Sequence, residues 1–299
     1  MKKIYLACCF SLDFDLPLLR HFINYYISLG IKPENFLFVL NVFVDNRNLK
    51  KGLDILSEYN IFPKDIWCYE YESEEKWQRI HMILNKHVLS EDWVIHPDSD
   101  EFFQFPMDLN TLTAAMDNQN LNAAQAFLVD RLSSDGKIKN IEDDVDLFSQ
   151  FPQKANLANL IGIAGVKLAM YKGYLRANNG SGQIHQQCLS NTRYTHGGNQ
   201  SLHQTDLGKK IMGDYSEKRK YDPENFNESV YQVICMQHGF IAHHFKWHGT
   251  VLEKLKQRVE TYTKFRRPQL IQSERLLNFY KSNDDSFLIK DKKGEHADE

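Results

Sequence analysis

The chain has 299 residues, 42% of them hydrophobic and 25% charged, with a formal net charge of −3. That balance belongs to a folded protein large enough to bury its own core, and it excludes a disordered chain or a small stapled scaffold. It also excludes a general polyanion binder, so no nucleic-acid partner is expected and any attraction to anionic lipid would have to be local. The five cysteines (Cys8, Cys9, Cys68, Cys188, Cys235) are odd in number and lack CxxC spacing. They predict reduced thiols in a cytoplasmic setting and not a zinc knuckle. The N-terminal apolar run meets Asp13 and Asp15 too soon for a signal peptide, and no run of 18 apolar residues is present to span a membrane.

In chain order, KIYLACCF (3–10) predicts a buried strand, and 16–29 a helix with Leu18, Phe22, Tyr25 or Tyr26, and Leu29 on one face, closed by Gly30. FLFVLNVFV (36–44) predicts a second strand ending at Asp45, 49–60 a short helix, and IWCYEY (66–71) a third strand. Trp77, Ile80, His81, Leu84 and Val88 form a helical stripe over 74–89, and WVIHP (93–97) predicts a fourth strand. This alternation predicts an α/β fold with a mostly parallel sheet and helices on both faces, whose ligands bind beyond the carboxyl ends of the strands. After Pro106 the pattern loosens: 123–130 and 165–171 read as strands, 176–205 as a polar Gly-rich loop, and GFIAHHFKW (239–247) as an apolar run that turns histidine-rich. Thr250 and Glu253 have capping-box spacing for a helix with Val251, Leu255, Val259 and Tyr262 inward, and residues 281–299 are expected to fray.

Three constellations carry chemistry. Asp98-Ser99-Asp100-Glu101 follows the fourth strand. If the strand persists, Asp98 and Asp100 point to one side, and two such carboxylates repel unless a cation sits between them. Mg²⁺ or Mn²⁺ suits oxygen ligands and leaves room for phosphate. Glu101 is expected to turn toward a backbone amide or a cation. A DxD alone reads as a solvated acidic turn; its place at the end of a βα series favours the ligand site. The second constellation is HHFKWH (243–248): His244 and Lys246 share one face, His243, Phe245 and Trp247 the other, and imidazole is a good metal ligand. The third is the glycine-rich loop, where Gly180, Gly182 and His185 would let backbone approach a ligand, although no GxGxxG or GxxxxGK[ST] phosphate motif occurs. Asp45 and Asp130 end strands; each reads equally as a functional or a turn residue. The basic run Lys254, Lys256, Arg258, Lys264, Arg266 and Arg267 reads first as a solvated helix face and second as a peripheral membrane contact at an inner membrane face.

Over about residues 3–262 the chain resembles the GT-A glycosyltransferases, and within them the family-2-like enzymes. The resemblance rests on the N-terminal strand, LPLLRHFINYYISLGI, WVIHPDSDEF as a DxD motif, VDRLSSDG (129–136), QFP (150–152) and HHFKWH. It implies a GT-A domain over 1–262 with a helical and then disordered extension over 263–299. It also implies a UDP- or GDP-type nucleotide-diphosphate sugar as donor, Mn²⁺ or Mg²⁺, and a glycan or other hydroxyl acceptor in glycan or polysaccharide synthesis. Asp98, Asp100 and His244 would meet the metal, and Asp45, Asp98, Arg79 and His185 the donor. Lys246 would offset charge on the leaving diphosphate, and an inverting reaction would need a carboxylate base, for which Asp130 is chosen before Asp206 and Asp214. The chain departs from the family in having Ser11-Leu12-Asp13 where Asn-Glu is usual after the first strand. A metal-dependent phosphohydrolase, which would need a second metal, and a non-catalytic nucleotide-sugar binding module are the rival readings; a retaining mechanism stays open.

Overall fold

The computed structural model describes residues 2–43, 46–155, 157, 166–175, 239–249, 251–261 and 267–288. Asp45, His185, Asp206, Asp214, the 176–205 loop, Thr250 of the capping box and Lys264 and Arg266 of the basic run lie outside them. The elements run β1 (Ile4–Ser11), α1 (Leu12–Asp15), α2 (Leu19–Ser28), β2 (Phe36–Asn41), α3 (Asn46–Glu58), β3 (Asp65–Trp67), α4 (Ser73–His87), β4 (Trp93–Ile95), β5 (Glu101–Gln104), α5 (Leu109–Asn118) and β6 (Ala123–Leu132). Then follow α6 (Leu147–Gln150), β7 (Gln153–Ala155), β8 (Val166–Lys172), β9 (Ile241–His244), α7 (Val251–Thr261) and α8 (Arg267–Ser282). The chain forms two compact units, one of Met1–Leu128 and Gly165–His244, the other of Val129–Ala164 and Phe245–Glu299.

In the first unit the strand order is β3-β2-β1-β4-β8-β6-β9-β5. The first four strands pair in parallel, as the βα alternation predicts. The looser sequence after Pro106 corresponds to a change of direction: β8 pairs antiparallel with β4 and β6, and β5 antiparallel with β9. The fold is therefore α/β, with a Rossmann-like parallel half. Both faces of that half are covered, which is why β1 and β2 read as unbroken apolar runs. Tyr5, Ala7, Cys9, Leu37 and Val39 pack with Trp77, Ile80 and Leu84 of α4. The alternate positions Phe10 and Phe38 join Phe22 of α2 and Phe102 of β5 in an edge-to-face aromatic cluster. Gly30 closes α2 at φ +92°, a left-handed backbone open to glycine. Burial pushes the Cys9 thiol up to about 12 and raises that of Cys8, so neither is a reactive thiolate.

In the second unit, Asp130, Arg131 and Leu132 of β6 pair antiparallel with β7. Leu132, Leu157, Trp247, Val251, Leu255, Leu276, Tyr280 and Phe287 form its core. The expectation that the C-terminal stretch frays fails for 281–288. Phe287 is fully buried, its ring centroid 4.4 Å from Trp247 and 4.7 Å from Tyr280. Its N–H donates to the carbonyl of Gly136 (2.9 Å), where a Cβ would meet Ser286 and Leu288. The polar composition of the stretch hid a single aromatic anchor. Among the described residues no helix is long and apolar enough to cross a membrane.

One buried group gives the first unit a pH dependence. His96 is buried against the Trp77 ring, centroids 4.7 Å apart, with Nδ1 2.9 Å from the Tyr171 hydroxyl. Burial, helped by the Lys76 charge, lowers its pKa to about 3. A depressed native value means that stability is full above the unfolded value near 6.5 and is lost as pH falls toward the native one. We expect roughly 2–3 kcal/mol to be lost between pH 7 and pH 4.5, at up to about 1.4 kcal/mol per unit. Urea denaturation should show His96→Gln with a flatter pH profile in that window, which lies above the ordinary carboxylate range. An equal slope in both proteins would refute the assignment.

Candidate metal centre

β4 ends at Ile95, and the acidic residues do not continue it. The N–H of Glu101 donates to the carbonyl of Asp98 (3.0 Å), so 98–101 is a turn and Glu101 opens β5. The strand alternation expected to aim Asp98 and Asp100 together therefore stops before them. The turn instead brings the Glu101 side chain back to the backbone, with the Asp98 N–H donating to Glu101 Oε2 (3.0 Å). This is the backbone-amide contact expected of Glu101.

The Asp98 carboxylate is held by two ammonium groups. Lys76 Nζ of α4 lies 2.5 Å from Oδ1, and Lys167 Nζ of β8 lies 3.0 Å from Oδ2. Burial opposes its charge, yet Lys76 and Lys167 together hold its carboxyl well below the usual range. Lys76 and Lys167 are raised in turn by their carboxylates against the cost of their own burial. The Lys167 ammonium also lies 2.5 Å from Glu101 Oε1. A partly buried carboxylate is stabilised here because its counterions arrive from a helix and a strand far from it in sequence.

The register of β5 on β9 sets Glu101 opposite His244 and Phe102 opposite His243. Residues directly opposite share a face of the sheet, so the His244 ring stands beside Glu101. His243 takes the other face, with Nε2 3.0 Å from Gln104 Oε1. His244 Nε2 is 3.4 Å from Asp100 Oδ2. Asp100, Glu101 and His244 each offer a ligand atom, and all three atoms lie within 4.8 Å of one another. Metal–ligand bonds of about 2.0–2.2 Å span slightly less than this, so a small side-chain adjustment closes the group on one divalent ion. Glu101 is 1% exposed, and its Oε1 accepts no hydrogen bond in good geometry although the Lys167 charge is adjacent. Burial and the neighbouring Asp98 and Asp100 push its pKa up, against the pull of Lys167. A buried anionic oxygen in that position fits a cation. Asp98, paired with Lys76 and Lys167, is not one of the three converging residues; Glu101 is.

Two further strand ends adjoin this region of the first unit. The Ser99 hydroxyl donates to Asp15 Oδ2 (2.6 Å), tying the acidic turn to the segment after β1. Asn41, at the end of β2, donates to the carbonyls of Trp67 (3.2 Å) and Tyr69 (2.8 Å), and Asp13 Oδ2 accepts the Phe43 N–H (2.8 Å). This polar frame holds out Phe43 and Tyr69, 60% and 65% exposed, with ring centroids 6.1 Å apart. The sequence reading missed both; the available signal was an aromatic placed just past the last apolar residue of each strand. Ser11 and Asp13 serve the same frame: Ser11 Oγ donates to Asn41 Oδ1 (3.2 Å).

The other expected residues are placed differently. Arg79 is paired with Asp65 (2.6 Å) and Glu75 (2.6 Å), and its guanidinium lies over the Trp67 ring, so its charge is already neutralised within the protein. Asp130, expected as a base, belongs to the second unit and is buried there. Its Oδ2 accepts the Leu157 N–H (2.8 Å) and its Oδ1 accepts Trp247 Nε1–H (2.7 Å), which makes it a clamp between a strand end and the aromatic core. Lys246, in the same unit, lies with Nζ 5.3 Å from the Trp247 ring centroid.

No protein-family model matches the chain, and no curated protein matches it. Among solved structures, S. aureus TarS aligns at TM-score 0.30 and 11% identity, covering 96% of this chain and 46% of that one, so the chain spans a little under half of it. The 1–349 form of S. aureus TarS in complex with UDP-GlcNAc aligns at TM-score 0.31 and 11% identity, covering 93% and 73%. A 4-diphosphocytidyl-2C-methyl-D-erythritol synthase aligns at 0.29 and 9%, covering 58% and 76%. Likeness at this level assigns neither a family nor an activity.

Proposed function

We propose that the chain is a metal-dependent glycosyltransferase of the GT-A type that moves a sugar from a nucleoside-diphosphate donor to a hydroxyl acceptor. The observation that carries the reading is the convergence of Asp100, Glu101 and His244, just past the carboxyl end of β4. Ligands of parallel α/β sheets bind beyond such ends. Asp100, Glu101 and His244 would hold Mn²⁺ or Mg²⁺, whose chemistry is to offset the charge that develops on the departing diphosphate. Asp98 and its two lysines orient the turn that carries two of these ligands. Phe43 and Tyr69 offer a planar base a stacking surface, with Asn41 and Asp13 fixing the backbone beneath it. With Asp130 committed to its clamp, the reading names no base.

A thermal-shift series with UDP, GDP and CDP, each with and without Mn²⁺, tests this. One nucleotide at about a hundred times its Kd should add about 2.7 kcal/mol, a melting shift of roughly 5 °C or more, and should require the ion. Phe43→Ser should weaken the nucleotide effect while leaving Mn²⁺ binding intact. Nucleotide binding that persists in excess chelator would contradict the metal reading. Release of phosphate from simple phosphate esters without sugar transfer would favour a hydrolase.

A further inference from the structure

We infer that Lys167 is a built-in counterion to Glu101 whose positive charge holds the site's affinity for a divalent ion down. This rests on the metal reading above and goes beyond it, since it concerns what occupies and limits the site from within the protein.

Lys167 lies on β8, opposite Ala126 of β6, and its side chain is 18% exposed. Its Nζ bridges Asp98 Oδ2 (3.0 Å) and Glu101 Oε1 (2.5 Å). Glu101 Oε2 is taken by the Asp98 N–H. Oε1 is therefore the oxygen left to a metal, and it is the one the Lys167 ammonium already faces at 2.5 Å. Asp98, Asp100 and Glu101 crowd three carboxylates into one turn, and they would repel if left uncompensated. Lys76 pairs with Asp98, and among the described residues Lys167 is the lysine whose ammonium reaches Glu101. A divalent ion sharing Oε1 with that ammonium sits within a few ångströms of a like charge, where repulsion in a partly buried site is strong. Removing the ammonium while keeping the carboxylates should therefore tighten ion binding. A purely structural lysine would give the opposite result, because its loss would let Glu101 drift from the ligand set.

The test measures Mn²⁺ affinity of the full chain at pH 7.5, by electron paramagnetic resonance of free Mn²⁺, for wild type, Lys167→Met, Lys167→Gln and Lys167→Arg. The two neutral variants should bind Mn²⁺ at least about tenfold tighter. Lys167→Arg, which keeps the charge, should stay within roughly threefold of wild type. Without metal the neutral variants should melt lower than wild type, and saturating Mn²⁺ should recover the loss. If wild type binds Mn²⁺ and the neutral variants bind it no more tightly, the inference is overturned and the metal reading stands. If wild type binds no Mn²⁺, the metal reading falls and the inference with it. If both neutral variants fail to fold even in saturating Mn²⁺, the inference is also overturned, because two positive charges would then have failed to replace one.

Discussion

Replacing His244 or Asp100 by alanine is expected to reduce Mn²⁺ affinity, and with it sugar transfer, by roughly a hundredfold or more, while the fold survives. Loss of a mere outer-shell partner of a metal ligand commonly costs 10–100-fold, and a direct ligand should cost at least as much. Asp100 and His244 retain partial exposure, 16% and 13% of their side chains, so alanine at either position admits water in place of the lost ligand atom. Glu101 is the poorer test. Its other oxygen holds the Asp98 N–H, and its removal would leave Lys167 beside a cavity. Titration with Mn²⁺, circular dichroism and donor turnover should be measured on the same samples. Wild-type Mn²⁺ affinity in a folded His244→Ala protein would remove the imidazole from the site and with it the main support for the metal centre.

Lys76→Met should be the most destabilising single change near the site, by about 2–4 kcal/mol at neutral pH. Breaking a buried pair by removing one partner costs about 3–5 kcal/mol, because the other charge stays behind. The figure is discounted here because the Asp98 side chain is 29% exposed and keeps Lys167. The pH dependence follows from the depressed Asp98 carboxyl. Its contribution is present above the ordinary aspartate value and is lost as pH falls through the lower native one. The gap between wild type and Lys76→Met in urea denaturation should therefore be wide at pH 7.5 and should begin to close only below about pH 3.8. A gap that is constant with pH would mean that the contact of the Lys76 ammonium with the Trp77 ring, 4.9 Å to its centroid, and not its pairing with Asp98, carries the effect.

Local signals read well wherever burial was uniform along an element. KIYLACCF, FLFVLNVFV and WVIHP all contain strands, because strands covered on both faces leave an unbroken apolar run in sequence. Gly30 marked a helix end because the left-handed backbone there demands it. The C-terminal stretch misled for the complementary reason. Its charge and polarity are those of a loose tail, and one buried phenylalanine outweighs them. Asp130 misled because a carboxylate at a strand end looks the same in sequence whether it faces a substrate or an indole N–H. Phe43 and Tyr69 follow their strands closely enough to read as part of the same apolar runs, and only the structure shows them exposed.

The amino-acid sequence by itself determined the alternation of strands and helices through β4 and the position of the acidic segment at its end. These depend on hydrophobic period, capping and turn preference, which act over a few residues. Only the tertiary structure decided that Glu101, not Asp98, stands with Asp100 and His244, and that Lys76 and Lys167 claim Asp98. A turn of four residues redirected the carboxylates, and the pairing of β5 with β9 chose which histidine faced them. Register between segments distant in sequence is set by the packing of the whole sheet, and a shift of one residue would have turned His244 to the opposite face.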